Sequence, residues 1–292
     1  MIFNRYRIEC ELVAQSPTHI GTGETRPVAR QKKSDNAGDQ ECTEITMIAR
    51  DCTGLPYLPG SSLRGVVRNY LLQIFRHLNP EKIAHEENYE GKKFKEKSQD
   101  QIIDEMLPAA TLLEKVFGTP FWAGKVEFWD APASNRNRIS SANFVDKEWD
   151  DERQCYLVRS VAIDPITGTA ENHKLYTFEV APAGIRYQVN IVGQNLEPEE
   201  LGFLLFGLSG FNSEIYPLTI GAMSGRGFGH MTFEVKNIYA LTQDGLSDWV
   251  KAAATHDHAG YSALKCLEEP LENIIKPFKE SFLKQLDGRE VS

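Results

Sequence analysis

The stretch from Gly54 to Leu78, GLPYLPGSSLRGVVRNYLLQIFRHL, constrains the fold more than any other part of the chain. Pro56 and Pro59 have no backbone N–H and restrict the residue before them. With Gly54 and Gly60 they make an extended, turning approach that cannot be helical. A helix follows. Leu63, Val66, Val67, Tyr70, Leu71, Ile74 and Leu78 recur at three- and four-residue spacing and so form one apolar face that needs a core to cover it. The hydroxyl of Ser61 or Ser62 is the expected cap for the orphan N–H groups of the first turn. Arg64 and Arg68, four residues apart, share another face close to a helix start whose dipole favours an anion. Serines, a helix start and two stacked arginines make a grip for a phosphate backbone. A capped helix with two solvated arginines satisfies the same pattern.

Around this helix the pattern predicts an alternation of strands and helices. Tyr6 to Ala14 alternates as a half-buried strand, which Pro17, Gly21 and Gly23 should end, leaving His19 in a tight loop. Arg30 to Glu44 is polar and without apolar period, so a long loop is expected; it carries Asp35, Asp39, Glu41 and Glu44. Ile45 to Ala49 predicts a short strand. Asn79 to Asp104 is dense in charge and has the composition of a surface insertion. Ala109 to Phe117 predicts a helix stopped by Gly118 and Pro120, and Lys125 to Ala131 a strand. Asp164, Pro165, Thr167 and Gly168 mark a turn between two β-rich runs, which reads as a projecting hairpin. Gly184 to Val192 predicts another strand. Glu197 to Phe211 predicts a second core helix, with acidic residues at its start and Leu201, Leu204, Leu205 and Leu208 on one side. Four glycines then fall between Gly221 and Gly229, with Arg226 among them, ahead of a strand beginning at Met231. A loop so rich in glycine can present N–H groups to phosphates; a β-bulge or tight turn uses glycine for the same freedom of backbone. It is neither a Walker loop nor a dinucleotide fingerprint, because no GKS or GKT and no helix follows.

The resulting order, strand, helix, strand, strand, helix, strand, is that of an α+β, ferredoxin-like (RRM-like) βαββαβ core. To it are added a long loop after strand 1, a charged helical insertion over 79–107, a β-hairpin at about 155–180, and a helical C-terminal tail over 241–292 outside a domain of 1–240. Composition narrows the function. The formal charge is −9 from 32 basic and 41 acidic residues, so a nucleic-acid role requires a local basic strip or partners that share the contacts. Cys10, Cys42, Cys52, Cys155 and Cys266 are odd in number and never spaced CxxC, which points to a reducing cytoplasm rather than a disulfide framework. No run of about 18 apolar residues occurs, so no membrane partner is expected.

Five stretches in this order, THIGTG, LPYLPGSSLRGVVR, FGTP before KVEFWDA, the VAIDPITGTAENHKLYTFEVAPAG hairpin and GAMSGRGFGH, resemble the RAMP superfamily. More closely they are similar to the backbone subunit of type III CRISPR-Cas effector complexes, over about Tyr6 to Val235. The resemblance implies that Ser61, Ser62, Arg64 and Arg68, with Gly225, Arg226, Gly227 and Gly229, hold the backbone of a guide RNA, and that His19 contacts RNA. It implies a thumb-like hairpin that wedges between bases with Ile163, Ile166, Leu175 and Tyr176, apolar or aromatic groups suited to the faces of bases. The implied partners are guide and target RNA, other RAMP-type subunits and the large signature subunit of the complex. Contacts spread over several subunits let an acidic chain hold RNA.

Members that cleave target RNA carry an aspartate in the loop before the PGSS turn, acting with a divalent metal. Here the matching place falls near Glu44 or Ile45, with no aspartate. Glu44, or Asp39 or Asp35 from the longer loop, is then the catalytic candidate, with Mg²⁺ or Mn²⁺ as cofactor. The alternatives are a structural assembly subunit without catalysis, and a guide-processing endoribonuclease in which His19 serves as general base or acid.

Overall fold

The computed structural model describes residues 4–29, 42–78, 83–84, 94, 96–134, 149–255 and 264–287. Its centre is an antiparallel sheet built on β1 (Asn4–Ala14), in which Ile8, Cys10, Leu12 and Ala14 point into the core and the alternate residues point out. β1 lies between β10 (Arg186–Gln194) and β11 (Met231–Thr242), and β5 (Val126–Phe128) pairs with the far side of β10. A two-residue strand, β12 (Lys265–Cys266), closes the β11 edge. With helix α1 (Gly60–Phe75) between β1 and β5, and α4 (Pro198–Ser209) between β10 and β11, this is the split βαβ arrangement expected from the sequence.

Both helices bury their leucine faces in one core, Leu63, Val67 and Leu71 from α1 against Leu204, Leu205 and Leu208 from α4. Each such side chain contributes about 1.5–3 kcal/mol when fully buried. Glycine sets the spacing of the two helices: a Cβ on Gly207 would stand 2.8 Å from Leu71 Cδ1. Glu200, buried near the start of α4, takes both oxygens to Lys125 Nζ at 2.8 and 2.7 Å and so ties the helix to β5.

A second sheet stands beside the first, in the order β2 (Gly21–Ala29), β3 (Cys42–Ile48), β9 (Ala170–Val180), β8 (Cys155–Ile163), β7 (Trp149–Asp150). β3 and β9 are parallel, Ile45 beside Thr177; the other pairs are antiparallel. β2 occupies the stretch ahead of the loop expected over Arg30 to Glu44, and the start of β3, Cys42 to Glu44, replaces the end of that loop. Residues 30–41 lie outside the described residues. Between the sheets, β4 (Tyr57–Leu58) pairs with β6 (Ala131–Pro132).

Two expectations change. The insertion is not wholly a surface element: Ile83, Ala84, Phe94 and Ile102 are buried, and a short helix α2 (Gln99–Met106) precedes α3 (Leu112–Phe117). The tail is not wholly peripheral either. α5 (Leu246–Thr255) buries nothing, but α6 (Leu271–Asp287) places Ile274, Ile275 and Phe278 in the main core, with Phe278 edge-on to Phe75.

Candidate nucleic-acid interface

The segment between β1 and β2 passes under the glycine-rich loop. Thr18 is held to β9 by two backbone bonds with Ala181, of 2.8 and 2.9 Å. That places the His19 ring in the interior, 5 % exposed, edge-on to Phe178 at 5.4 Å. His19 Nδ1 donates to the Glu179 carbonyl at 2.6 Å. A carbonyl only accepts, so Nδ1 carries the proton and Nε2 of the neutral ring is left as the acceptor.

The glycine-rich loop is fastened at both ends to this segment. Ala222 N–H donates to the His19 carbonyl at 2.8 Å, Gly229 N–H to Pro17 at 2.9 Å, and His230 N–H to Ser16 Oγ at 3.0 Å. At Gly221 a Cβ would lie 2.5 Å from His19 O, and at Gly229 2.1 Å from Ile220 O, with φ of +93° and +78°. These two glycines serve packing. Gly225 and Gly227 differ: neither has a heavy atom within 4 Å of a Cβ position, and they flank Arg226, Gly225 inside the 3-10 turn Ser224–Arg226 and Gly227, at φ +82°, as its C-cap. The four glycines therefore divide into two anchors and two open positions, a division that their spacing does not reveal.

Arg226 joins this turn to the hairpin. Its guanidinium donates to Ser160 Oγ at 2.8 Å on β8 and to Tyr176 Oη on β9, and lies 5.5 Å above the Tyr176 ring. Ser160 and Tyr176 are register partners in the hairpin. The hairpin turn is shaped by Asp164, whose Oδ1 accepts Ile166 N–H at 2.8 Å and whose carbonyl accepts Gly168 N–H at 2.8 Å. The Ile166 N–H, with the Thr167 N–H and hydroxyl, holds the Asp164 carboxyl below its ordinary pKa. Ile163 and Ile166, 56 % and 93 % exposed, project from the end of the hairpin, and Val161 follows them on β8. The side chain of Leu175 lies outside the described residues.

The serine–arginine helix starts differently from expectation. Pro59 is the N-cap and Gly60 the first helical residue, so Ser61 and Ser62 fall inside the first turn and neither side chain caps it. The Gly60 N–H is taken instead by Asp130 Oδ1 at 2.8 Å, and a Cβ on Gly60 would lie 2.1 Å from Phe128 O. Asp130 thus occupies part of the anion seat that the helix start offers. Arg64 is committed as well, donating to the Phe117 carbonyl at the end of α3 and lying 5.8 Å over the Phe117 ring. Burial, and next the Arg68 charge, lower its pKa. Arg68 is half-buried and makes no hydrogen bond or ion pair among the described residues.

Backbone bonds from Ala49 N–H to Ile20 O (2.7 Å) and from Tyr57 N–H to Ala49 O (3.4 Å) connect the His19 segment to the approach to α1. The helix start, His19 and the glycine-rich loop therefore share the end of the main sheet where β1 finishes. On the open face of that sheet Arg7 packs 4.7 Å over Trp129 and bonds Asn190, and Lys236 pairs with Glu234 at 2.6 Å.

Of the catalytic candidates, Glu44 is exposed on β3, with Thr25 Oγ1 donating to its carboxylate at 3.5 Å. Asp35 and Asp39 lie outside the described residues. No group of three or more His, Cys, Asp or Glu that could hold a metal ion occurs among the described residues. Mg²⁺ is usually held by one or two carboxylates together with waters and substrate phosphates, so Glu44 by itself supplies one protein ligand of such a site.

A family model for the RAMP superfamily matches residues 11–232. The chain belongs to the RAMP superfamily. Members of this superfamily are CRISPR-associated proteins that bind RNA, and the matched span runs from β1 to the start of β11, taking in both sheets, the hairpin and the glycine-rich loop. No curated protein matches the chain. The RAMP chain has no helix long and apolar enough to cross a membrane among its described residues.

Sequence reasoning missed Glu179 and its arginines. Glu179 is fully buried on β9 and binds Arg26 of β2, Arg50 before β4 and Arg153 before β8. Burial alone pushes its carboxyl pKa up. The Arg50 hydrogen bond and charge, the Arg153 charge and the Ile48 N–H outweigh it, and the net shift is downward. Its one sequence signal is a glutamate in an otherwise apolar strand, YTFEVA.

Proposed function

We propose that this chain is the RNA-binding backbone subunit of a type III CRISPR interference complex, holding guide RNA and shaping the guide–target duplex. The observation that carries this reading is the Arg226 bridge. An open turn with Gly225 and Gly227 on either side is locked by one guanidinium to Ser160 and Tyr176 of the projecting hairpin. A backbone following the open turn is thereby set in fixed register with the hairpin that would part its bases. Arg68, without a hydrogen bond or ion pair among the described residues, supplies a further cation for phosphate. The partners in this reading are guide RNA, target RNA, other RAMP-type subunits and the large signature subunit, and the setting is the cytoplasm.

Within this reading the chain is a scaffold for RNA, and no cleavage step is derived, because Glu44 supplies a single ligand and Asp35 and Asp39 lie outside the described residues. The guide-processing alternative asks His19 to exchange protons with a ribose, whereas its ring is interior and its Nδ1 is engaged. The test uses the guide-loaded complex and a labelled complementary RNA with Mg²⁺ or Mn²⁺. Arg226→Ala and Arg68→Ala each weaken RNA binding, and cleavage bands persist in Glu44→Ala, Asp39→Ala and Asp35→Ala. A band lost in one carboxylate variant with RNA binding intact makes this chain a nuclease. Unchanged RNA binding in both arginine variants refutes the interface.

A further inference from the structure

On the β11 side of the main sheet, much of the edge has no strand beside it among the described residues. β11 is 12 residues long, whereas β12 pairs with it only at Tyr239 and Ala240. One further backbone bond, from Leu267 N–H to the Ile238 carbonyl at 2.7 Å, ends that contact. Asn212 closes a second point of the edge much as a strand residue would. Its side-chain amide donates to the Phe233 carbonyl and accepts the Phe233 N–H, both at 2.8 Å. Between these two stops the edge from Val235 to Asn237 is open among the described residues. Backbone groups of a strand turn alternately to its two sides, so Val235, two residues on from Phe233, directs its N–H and C=O outward as Phe233 does.

A cleft of about 320 Å³ lies against this open stretch. Its facing wall is the chain that runs from Leu267 through Glu268 and Glu269 into the first turns of α6. Val235, Leu267, Leu271 and Ile274 give the cleft an apolar lining. Glu268 and Glu269 also line it, and both are exposed without a hydrogen bond or ion pair among the described residues. The cation in the lining is Lys236, the extra residue of a bulge where Glu9 and Cys10 face Asn237 and Val235. Its ammonium is taken by Glu234 at 2.6 Å and Glu11 at 3.9 Å, and Lys265 and Lys276 do not line the cleft. The unbalanced charge of the lining is therefore negative. A bulge with a lysine can serve merely to protect an edge from pairing; an apolar cleft with two unpaired glutamates is not needed for that.

We propose that the open stretch of β11 and the cleft beside it form a docking site for a short, extended, basic segment of a partner protein, taken up by strand addition. The site is independent of the RNA-binding reading. Outward N–H and C=O groups at Val235 select an extended backbone, because a helix has already spent its own. An apolar side chain of the segment enters the cleft, and lysine or arginine beside it meets Glu268 and Glu269. The same glutamates repel a nucleic acid. Asn212 and Leu267 bound the site, so it takes a segment of about three to five residues.

The experiment measures the fluorescence anisotropy of a labelled peptide of alternating lysine and valine on titration with the full chain. Its controls are a glutamate–valine peptide and the lysine–valine peptide with its backbone amides N-methylated. The lysine–valine peptide is expected to bind and the glutamate–valine peptide not to. The methylated peptide keeps its charge but loses its backbone donors, and is expected to bind at least about tenfold more weakly. Glu268→Gln/Glu269→Gln is expected to weaken the lysine–valine peptide about fivefold, the loss of two exposed ion pairs. Val235→Pro removes the outward N–H and should abolish binding. Val235 packs partly against the core, so where that variant does not fold, the methylated peptide makes the same test on the wild-type chain. Equal affinity of the methylated and unmethylated peptides, or of wild type and the glutamine variant, overturns the site. So does the absence of lysine–valine binding up to about 1 mM. Dimerisation of the chain alone that Val235→Pro abolishes also overturns it, since the occupant is then a second copy.

Discussion

At the scale of single residues, chemically identical side chains have different jobs. Gly229 is bound by φ of +78° and by a carbonyl 2.1 Å from its absent Cβ. Gly229→Ala is therefore expected to cost about 1–3 kcal/mol in chemical denaturation. Gly225 has ordinary φ and open space, so Gly225→Ala should leave stability within about 0.5 kcal/mol and weaken RNA binding if the backbone of the nucleic acid comes close there. Glu179 makes a second prediction. Its folded pKa is depressed below the ordinary glutamate value, about 4.3, so it stabilises the fold fully above that value. The contribution is lost as pH falls through the lower, folded pKa. A thermal-melting series from neutral to acid pH should show this loss in wild type. Glu179→Gln should melt lower at neutral pH and lack that part of the acid dependence; superimposable profiles would refute the assignment.

At the scale of elements, the hairpin shows how stiffness and exposure are divided. Its stem is fixed by the β8–β9 register and by Arg226, and its tip by the Asp164 turn, so Ile166 can stand 93 % exposed without losing its place. Ile166→Ser should leave the melting temperature unchanged, since nothing packs on the side chain. It should reduce the unstacking of a 2-aminopurine placed in the guide–target duplex; unaltered fluorescence would deny the hairpin a wedge role. Helix α1 shows the converse. Its apolar stripe was legible because burial against α4 demands helical spacing, whereas its cap was not, because Asp130 reaches Gly60 from 70 residues away.

At the scale of the whole molecule, the C-terminal helix belongs to the core. Phe278, 2 % exposed, packs among Phe75, Phe203 and Phe206, and a Cβ on Gly202 of α4 would stand 2.9 Å from the Phe278 Cβ. Phe278→Ala is expected to destabilise by about 3–5 kcal/mol in urea titration, and a change below about 1 kcal/mol would place the tail outside the folding unit. The sequence by itself determined the α+β core, the order of its strands and helices, the hairpin and the glycine-rich loop. Each of these follows from local periodicity and from backbone limits that proline and glycine impose on their neighbours. Only the tertiary structure decided which glycines are anchors, that β2 and β3 pair and join β9, that His19 is interior, and that three arginines meet at Glu179. These depend on contacts that lie outside any local window, 160 positions for His19 and Glu179 and 129 for Arg50 and Glu179, and no local pattern in a single chain encodes which distant partner a carboxylate or a carbonyl will find.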